Sequence, residues 1–293
     1  MKKQTLTWLL VSSLFLLSGC QENEKSTETT TNISTTSQVI ETTTQTTEIS
    51  QEKKMSKIEE YLDKLKNEPV GIYIESLDSK EQYGVNQEKN FYGASIAKLP
   101  IIFYTQEKLK KEEISLEMTF PYIDQVNEIP GAMVRGGTGV MQQMELENQT
   151  FSVAQLLEWS IRHSDNLASN MLGYYVAEQN GNAFLETIAP FYATKQTEFS
   201  KEMTAKTAGE MMLAIYRNEL GKEYFLETDW QKEKIGSLDK DVYHKIGTNE
   251  TFNHDVGVVD DKKPYVLSIL SDGYSNEKIE KIVKNIDELM NEE

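Results

Sequence analysis

The sequence predicts an α/β fold in which an antiparallel sheet is built from both ends of the chain around a helical insertion. Apolar runs typical of strands lie near residues 70–86 and return near residues 242–270. Apolar residues at helical spacing occupy much of the section between these two strand regions. They also occur at both ends of the folded part. Because strands from distant segments bracket the helices, we expect one sheet with helices packed on it.

The N-terminal segment resembles a secretion signal. Met1-Lys2-Lys3 precedes an apolar run from Leu6 to Leu17, and small residues follow it. That run of about a dozen residues is shorter than the roughly 20 that a transmembrane helix needs. Leu-Ser-Gly-Cys20 resembles the lipobox of bacterial lipoproteins. The resemblance implies that residues 1–19 are a signal peptide, that Cys20 is lipidated, and that the chain is anchored to the extracellular face of the bacterial cell membrane.

The next segment, residues 20–54, has the composition of a disordered tether. From Ser26 to Ser50, 15 of 25 residues are Ser or Thr, and few are apolar. Such a segment buries too little apolar surface to offset the entropy lost on folding. We therefore expect residues 20–54 to hold a folded domain, residues 55–293, at a distance from the membrane.

Charge and cysteine content exclude several classes of protein. The net charge is −17, and such a surface repels nucleic acid. Cys20 is the only cysteine, so no intramolecular disulfide is possible. Three scattered histidines make no metal cluster. We predict a monomer that needs no cofactor.

Individual elements of the domain follow from local patterns. A first amphipathic helix is predicted over residues 56–67, and a last one over Asn276–Met290. Predicted strands are Val70–Ser76, Lys80–Asn86, Val242–Thr248, His254–Val259 and Tyr265–Leu270. Helical patterns in the insertion include Val153–Ile161 and Ala205–Tyr216.

A first candidate motif is Ser95-Ile96-Ala97-Lys98, which precedes an apolar run. Residues three apart share a helix face, so the Lys98 amine can approach the Ser95 hydroxyl. Serine is a weak nucleophile until a base takes its proton, and a desolvated lysine can be that base. Taken alone, the motif is equally compatible with a helix cap and a solvated lysine.

A second candidate is Ser164-Asp165-Asn166, between two helical patterns. Here a serine can relay a proton and an asparagine can bind a substrate amide. By itself the triplet is also typical of an ordinary helix cap.

A third candidate is Lys245-Ile246-Gly247-Thr248 on a predicted strand. Lys245 supplies a positive charge, and Gly247 would let a ligand approach the strand closely. The backbone amide of Thr248 would be free to donate to a developing oxyanion.

Taken in this order, the three motifs resemble those of class A β-lactamases and penicillin-binding proteins. The resemblance covers about residues 56–291 and implies a β-lactamase/transpeptidase-like fold. It implies that Ser95 is the acylated nucleophile, that Lys98 is its base or the partner of that base, and that Ser164 relays a proton to the leaving nitrogen.

The resemblance also implies how a substrate is bound. Asn166 would bind the acyl amide, and Lys245 would orient Ser164 and attract a carboxylate. The amides of Ser95 and Thr248 would form the oxyanion hole beside Gly247. The segment Gly136–Met141 resembles a glycine-containing loop of the family, and we expect a turn there without a catalytic role.

Two departures from the family pattern stand out. Class A β-lactamases carry a Glu-x-x-x-Asn loop whose glutamate activates the deacylating water, whereas residues 190–203 contain none. Glu198 and Glu202 are the nearby acids, more compatible with solvated charge than with catalysis. Ile246 stands where the family usually has a hydroxyl that contributes to carboxylate binding. Thr248 or His254 would have to compensate, although His254 is equally suited to a structural role.

The function predicted is a serine hydrolase of class A β-lactamase type, acylated at Ser95 by a β-lactam or related amide and then hydrolysed. The alternatives are a D,D-peptidase-like hydrolase of cell-wall peptides, another small ester or amide hydrolase, and a surface lipoprotein with a decayed site that only binds. The missing glutamate predicts slow deacylation.

Overall fold

The computed structural model describes residues 57–178 and 181–292. The predicted signal peptide, Cys20 and the tether lie outside these residues. In chain order the elements are α1 (57–63), β1 (Val70–Ser76), β2 (Gln82–Val85), β3 (Asn90–Tyr92), α2 (Leu99–Lys110), β4 (Thr119–Pro121), β5 (Thr150–Ser152), α3 (Val153–Arg162), α4 (Asn166–Tyr175), α5 (Asn182–Ile188), β6 (Glu202–Thr204), α6 (Ala205–Asn218), β7 (Asp241–Asn249), β8 (Phe252–Asp260), β9 (Tyr265–Asp272) and α7 (Asn276–Asn291).

A five-stranded antiparallel sheet has the strand order β2-β1-β9-β8-β7. The predicted union of both chain ends is confirmed, because β1 pairs with β9 over its whole length, with Ile72 opposite Ile269. Strand β7 is at one edge of this sheet and, among the described residues, pairs only with β8. Its outer side is therefore open to groups other than a strand of the described ranges.

Each face of the sheet carries its own hydrophobic core, because successive side chains of a strand point to opposite faces. Tyr73 and Val256 belong to the core shared with the helical insertion. Ile72 and Ile74 belong to the core shared with the terminal helices. In α7 the buried residues recur every three or four positions, at Ile279, Ile282, Val283, Ile286 and Met290. The result is three layers with the sheet in the middle.

The helical insertion also holds two short strand pairs, which the sequence patterns did not reveal. Strand β3 pairs with β6, and β4 pairs with β5. Each of these strands has only three residues, too few to show an alternating pattern. The first pair brings residues near 202 to the end of β3, just before Ser95.

Helix limits follow local capping. Helix α3 begins with a capping box in which Ser152 and Gln155 each accept from the backbone of the other. Helix α1 ends at residue 63, earlier than predicted, and turns with i to i−3 bonds follow it. None of the helices within the described ranges combines the length and apolarity needed to span a membrane.

Candidate active site

Ser95 lies in a turn of 3₁₀ helix, Ala94–Lys98, that leads from β3 into α2. The preceding residue, Ala94, has a left-handed φ of 48°, which is unfavourable for a residue with a Cβ. The Gly93 amide donates to the Lys201 carbonyl at 2.7 Å. Ser95 is partly exposed, whereas Lys98 is fully buried. The turn therefore presents the hydroxyl to solvent while neighbouring segments hold its backbone.

The Lys98 amine lies at the centre of the predicted site. Its Nζ is 3.0 Å from Ser95 Oγ, 3.1 Å from Ser164 Oγ and 2.7 Å from Asn166 Oδ1. It also donates to the Ser164 carbonyl. The carbonyl and amide oxygens can only accept, so a neutral amine donates both its hydrogens to them. Its lone pair is then available to the two hydroxyls, including that of Ser95.

The surroundings favour this neutral form of Lys98. Burial lowers its pKa well below the usual value, and the positive charges of Lys245 and then Lys201 act in the same direction. The carboxylate of Asp165 opposes them. A lysine held neutral near physiological pH can accept a proton from a serine.

Ser164 links the two buried lysines. Its Oγ accepts from Lys245 Nζ at 2.6 Å and lies 3.1 Å from Lys98 Nζ. It stands between α3 and α4 with a left-handed φ of 48°. Asp165 caps α4 by accepting from the amides of Leu167 and Ala168. The capping function expected of such a triplet therefore falls to Asp165, and the Ser164 hydroxyl is left to the lysines.

The glycine-containing loop holds Asn166, a role that the sequence did not reveal. The Asn166 amide N–H donates to the Thr138 carbonyl at 3.0 Å, and its side-chain Nδ2 donates to Val134 O at 2.8 Å. A Cβ on Gly137 would lie 2.2 Å from Asn166 Nδ2, and one on Gly139 the same distance from Asp165 Cγ. The glycines are needed because the loop packs directly on this triplet.

Strand β7 brings Lys245 to the site and packs against the Ser95 turn. A Cβ on Gly247 would lie 2.8 Å from the Gly93 carbonyl oxygen and 3.0 Å from Ile96. Within the protein, glycine is thus required for contact with the Ser95 turn, and not only for the approach of a ligand, as the sequence suggested. Thr248 follows and is exposed.

Lys245 is fully buried, and burial lowers its pKa to about 7. The carboxylate of Asp255 opposes this change, and the ammonium of Lys234 adds to it. The Asp255 carboxylate oxygen Oδ1 lies 3.0 Å from His244 Nδ1. Lys245 therefore changes charge near neutral pH.

The histidines have structural partners. His254 is buried; its Nε2 donates to the Tyr92 carbonyl at 2.8 Å, and its Nδ1 accepts from the Ser271 amide at 3.0 Å. Burial lowers its pKa to about 4. Of the two roles considered for His254, the contacts are those of the structural one, which ties β8 to the strand before Ser95. His163 pairs with Asp229 at 3.1 Å.

Within the described residues, the loop after α5 places no carboxylate in contact with the candidate catalytic groups. Glu198 and Glu202 are exposed, and neither forms a hydrogen bond or ion pair with Ser95, Lys98 or Ser164 in the described structure. Lys201 is the residue of this loop that reaches the site, since its charge acts on Lys98. Its Nζ donates to the Ala132 carbonyl at 2.6 Å. No sequence pattern indicated Lys201, because its proximity depends on the pairing of β6 with β3.

Comparisons with known proteins agree with this fold. A family model described as the Beta-lactamase enzyme family matches residues 53–292, so the chain belongs to that family. No curated protein sequence matches.

Solved structures of three proteins are similar in fold at low sequence identity. A mutant of PBP-A in an acyl-enzyme complex with penicillin G is 17% identical, with a TM-score of 0.63 over 80% of this chain and 97% of that one. The TLA-3 extended-spectrum β-lactamase is 20% identical, with a TM-score of 0.64 over 81% and 100% of the two chains. A β-lactamase from Sphaerobacter thermophilus is 16% identical, with a TM-score of 0.62 over 81% and 96%.

Proposed function

We propose that this protein is a serine hydrolase that is acylated at Ser95 by a β-lactam or a related amide and then releases the acyl group to water. The observation that carries the proposal is the 3.0 Å contact between the buried Lys98 amine and Ser95 Oγ. A serine with a desolvated base at this distance is the arrangement that nucleophilic catalysis requires. Membership of the β-lactamase family supports the same chemistry.

Acylation proceeds in three proton transfers. Neutral Lys98 takes the Ser95 proton as Oγ attacks the carbonyl carbon, and a tetrahedral intermediate forms. The C–N bond then breaks, and Ser164 donates its proton to the leaving nitrogen. Ser164 regains a proton from Lys98, 3.1 Å away. Lys245, at 2.6 Å from Ser164 Oγ, holds this hydroxyl in place for the relay.

Substrate binding uses groups around the same cleft. Asn166 binds the acyl amide, and Lys245 attracts a substrate carboxylate. The backbone amides of Ser95 and Thr248 donate to the oxyanion beside Gly247, and their positions follow from packing of β7 on the Ser95 turn.

Mass spectrometry tests the proposal directly. A penicillin should add its whole mass to the protein, because opening the β-lactam ring releases no leaving group. Ser95→Ala should abolish the adduct, and Lys98→Ala should slow its formation greatly. Ser79→Ala, in the exposed turn after β1, is the matched control and should keep the adduct. If Ser95→Ala is labelled as fast as the control, the proposed nucleophile is wrong.

Hydrolysis of cell-wall peptides is the second candidate, and the empty acid position favours it. Neither Glu198 nor Glu202 contacts Ser95, Lys98 or Ser164 among the described residues, so we assign neither as the base that activates the deacylating water. We therefore expect the penicillin adduct to persist, as in peptidase-like chemistry. Rapid loss of the adduct with product formation would instead support a β-lactamase. No adduct with any β-lactam would favour the alternative of a binding lipoprotein.

We also propose that the protein is secreted and lipid-anchored through Cys20. The support is the signal-like segment of residues 1–19 and the lipobox resemblance. Cys20→Ala should move the protein from the membrane fraction to the soluble fraction of cells, with Ser26→Ala as a control that stays. Membrane fractionation of the Cys20→Ala variant would contradict the anchor.

A further inference from the structure

Three lysines surround the candidate cleft, although the protein as a whole is strongly acidic. Lys98 and Lys245 both contact Ser164. Lys201 is close enough for its charge to lower the pKa of Lys98. The net charge of the chain is −17, so a cluster of one sign here is a local feature. Because Lys98 is held neutral, the charges that focus a positive potential on the cleft are those of Lys201 and Lys245.

The protein provides little negative charge to balance this cluster. Neither the Lys201 nor the Lys245 ammonium group forms an ion pair within the described ranges. The two nearest buried carboxylates have other partners. Asp165 accepts from three backbone amides, those of Met141, Leu167 and Ala168. Asp255 accepts from His244 and from the Ile235 amide. An anionic ligand would therefore meet cations whose charge is not already neutralised by a close carboxylate.

Lys201 is placed to contact the acyl side of such a ligand. Its carbonyl accepts from Gly93, two residues before Ser95. Its Nζ donates to Ala132, two residues before Val134, whose carbonyl holds the Asn166 side chain. Lys201 thus bridges the nucleophile turn and the loop that positions Asn166. One bond to Ala132 leaves two of its three N–H donors for another acceptor, and the side chain is only half-buried.

We infer that Lys201 is a specificity determinant that selects acyl donors carrying a second carboxylate on their acyl side. This inference rests on the proposed acylation at Ser95. Lys245 binds the carboxylate on the leaving-group side, and Lys201 binds the second one beside Asn166. The substrate class is then a dianionic amide, such as a peptide with a free carboxylate next to its acyl amide.

Two penicillins form a matched pair for the test. Carbenicillin is benzylpenicillin with one added carboxylate on the acyl side chain. The measurement is the second-order rate constant of acylation of the full-length protein by each compound, followed by mass spectrometry at one ionic strength. We expect carbenicillin to react faster than benzylpenicillin. Lys201→Met should lower the carbenicillin to benzylpenicillin ratio by about fivefold, the effect of an ion pair at a half-exposed position.

Two further variants separate recognition from structure. Lys195→Met removes an exposed charge from the same loop and should leave the ratio unchanged, while Lys201→Arg should retain the wild-type ratio. A purely structural role for Lys201 would lower both rates equally, and a ratio that is unchanged in Lys201→Met overturns the inference while the proposed function stands. Absence of reaction with both penicillins would overturn the proposed function and this inference with it.

Discussion

The tripeptide Lys-Ile-Gly occurs twice in the last third of this chain, and the two copies have different surroundings. Lys245-Ile246-Gly247 lies on the edge strand β7, where Lys245 Nζ donates to Ser164 Oγ at 2.6 Å. Lys234-Ile235-Gly236 forms most of a 3₁₀ turn, where Lys234 Nζ donates to the His254 carbonyl at 3.1 Å. Both lysines are fully buried.

The difference teaches that the motif acquires a function from the neighbours of its backbone. The glycine of the first copy packs against the Ser95 turn, and its lysine donates to Ser164. In the second copy Lys234 has a left-handed φ of 51°, and Ile235 lies in the core under the terminal helices. The second copy contacts β8, since the Ile235 amide donates to the Asp255 carboxylate at 2.9 Å.

Replacing each lysine by methionine should give the largest difference in acylation rate between the two copies. Lys245→Met removes the cation that contacts Ser164 and that we propose to attract the substrate carboxylate. Loss of such a hydrogen-bonded charge costs about 3 kcal/mol, or roughly 100-fold in the acylation rate. Lys234→Met should change that rate at pH 6 by less than about threefold, because Lys234 contacts only the protein. Stopped-flow acylation with benzylpenicillin measures both rates. Equal losses in the two variants would show that the comparison has no functional meaning.

The glycines should differ in the kind of damage that an added methyl group causes. In Gly247→Ala the Cβ would lie 2.8 Å from the Gly93 oxygen and displace the Ser95 turn. We expect acylation to slow by at least about tenfold, since a misplacement of about 1 Å can cost roughly 100-fold.

Gly236→Ala is the matched control. Its Cβ would lie 2.6 Å from the Gln231 carbonyl oxygen and 2.9 Å from His244 Cε1. Overpacking of this kind costs about 1–3 kcal/mol of folding stability. Denaturant unfolding should show that loss, while the folded fraction acylates at nearly the wild-type rate. A slow but fully stable Gly236→Ala variant would contradict the distinction.

The pH dependence of acylation should show that Lys234 of one copy affects the pKa of Lys245 in the other. Lys245 has a pKa of about 7, so it carries its charge below that value and loses it as the pH rises. Acylation should therefore fall above about pH 7. The positive charge of Lys234 lowers the pKa of Lys245, so Lys234→Met should move this fall to higher pH. Lys232→Met, which removes an exposed charge nearby, should not move it. A shift to lower pH would reverse the sign of the coupling.

Sequence patterns were sufficient for the sheet but not for these differences. The strand Val70–Ser76 was predicted with the bounds that it has, and Val242–Thr248 lies within β7. Such elements can be predicted from long apolar patterns, because the buried side chains recur at regular positions along the strand or helix. Of the candidate site residues, Ser95, Lys98, Ser164 and Lys245 are brought together by the fold. Their motifs were recognisable because each is contiguous in sequence.

Other features of the site depend on contacts between distant segments and leave no local pattern. Lys201 reaches the site through the pairing of β6 with β3, two strands of three residues each. Gly137 is needed because the Asn166 side chain would collide with a Cβ there. The second Lys-Ile-Gly copy matches the motif by letters alone, and only its turn and burial separate it from the first. Tertiary packing decides all three.

The smallest expected effect concerns the isoleucines. Ile246 is 6% exposed. The family that the motifs resemble usually has a hydroxyl residue at this position, where it contributes to binding of the substrate carboxylate. Ile246→Thr should tighten the binding of benzylpenicillin about threefold, the modest net gain of one hydrogen bond. The concentration dependence of acylation gives this affinity. Ile235→Thr is the control, since it buries a hydroxyl at a fully buried position and should cost about 1–3 kcal/mol of stability without any gain in affinity.

The methyl ester of benzylpenicillin decides whether a gain at Ile246→Thr comes from the carboxylate. The ester lacks the charge that the new hydroxyl would contact, so its affinity should be the same for Ile246→Thr and for the wild type. An equal gain with the acid and the ester would mean that the smaller side chain merely opens the edge of β7. In that case Lys245 alone recognises the carboxylate, and the two Lys-Ile-Gly copies differ in function through their lysine and glycine but not through their isoleucine.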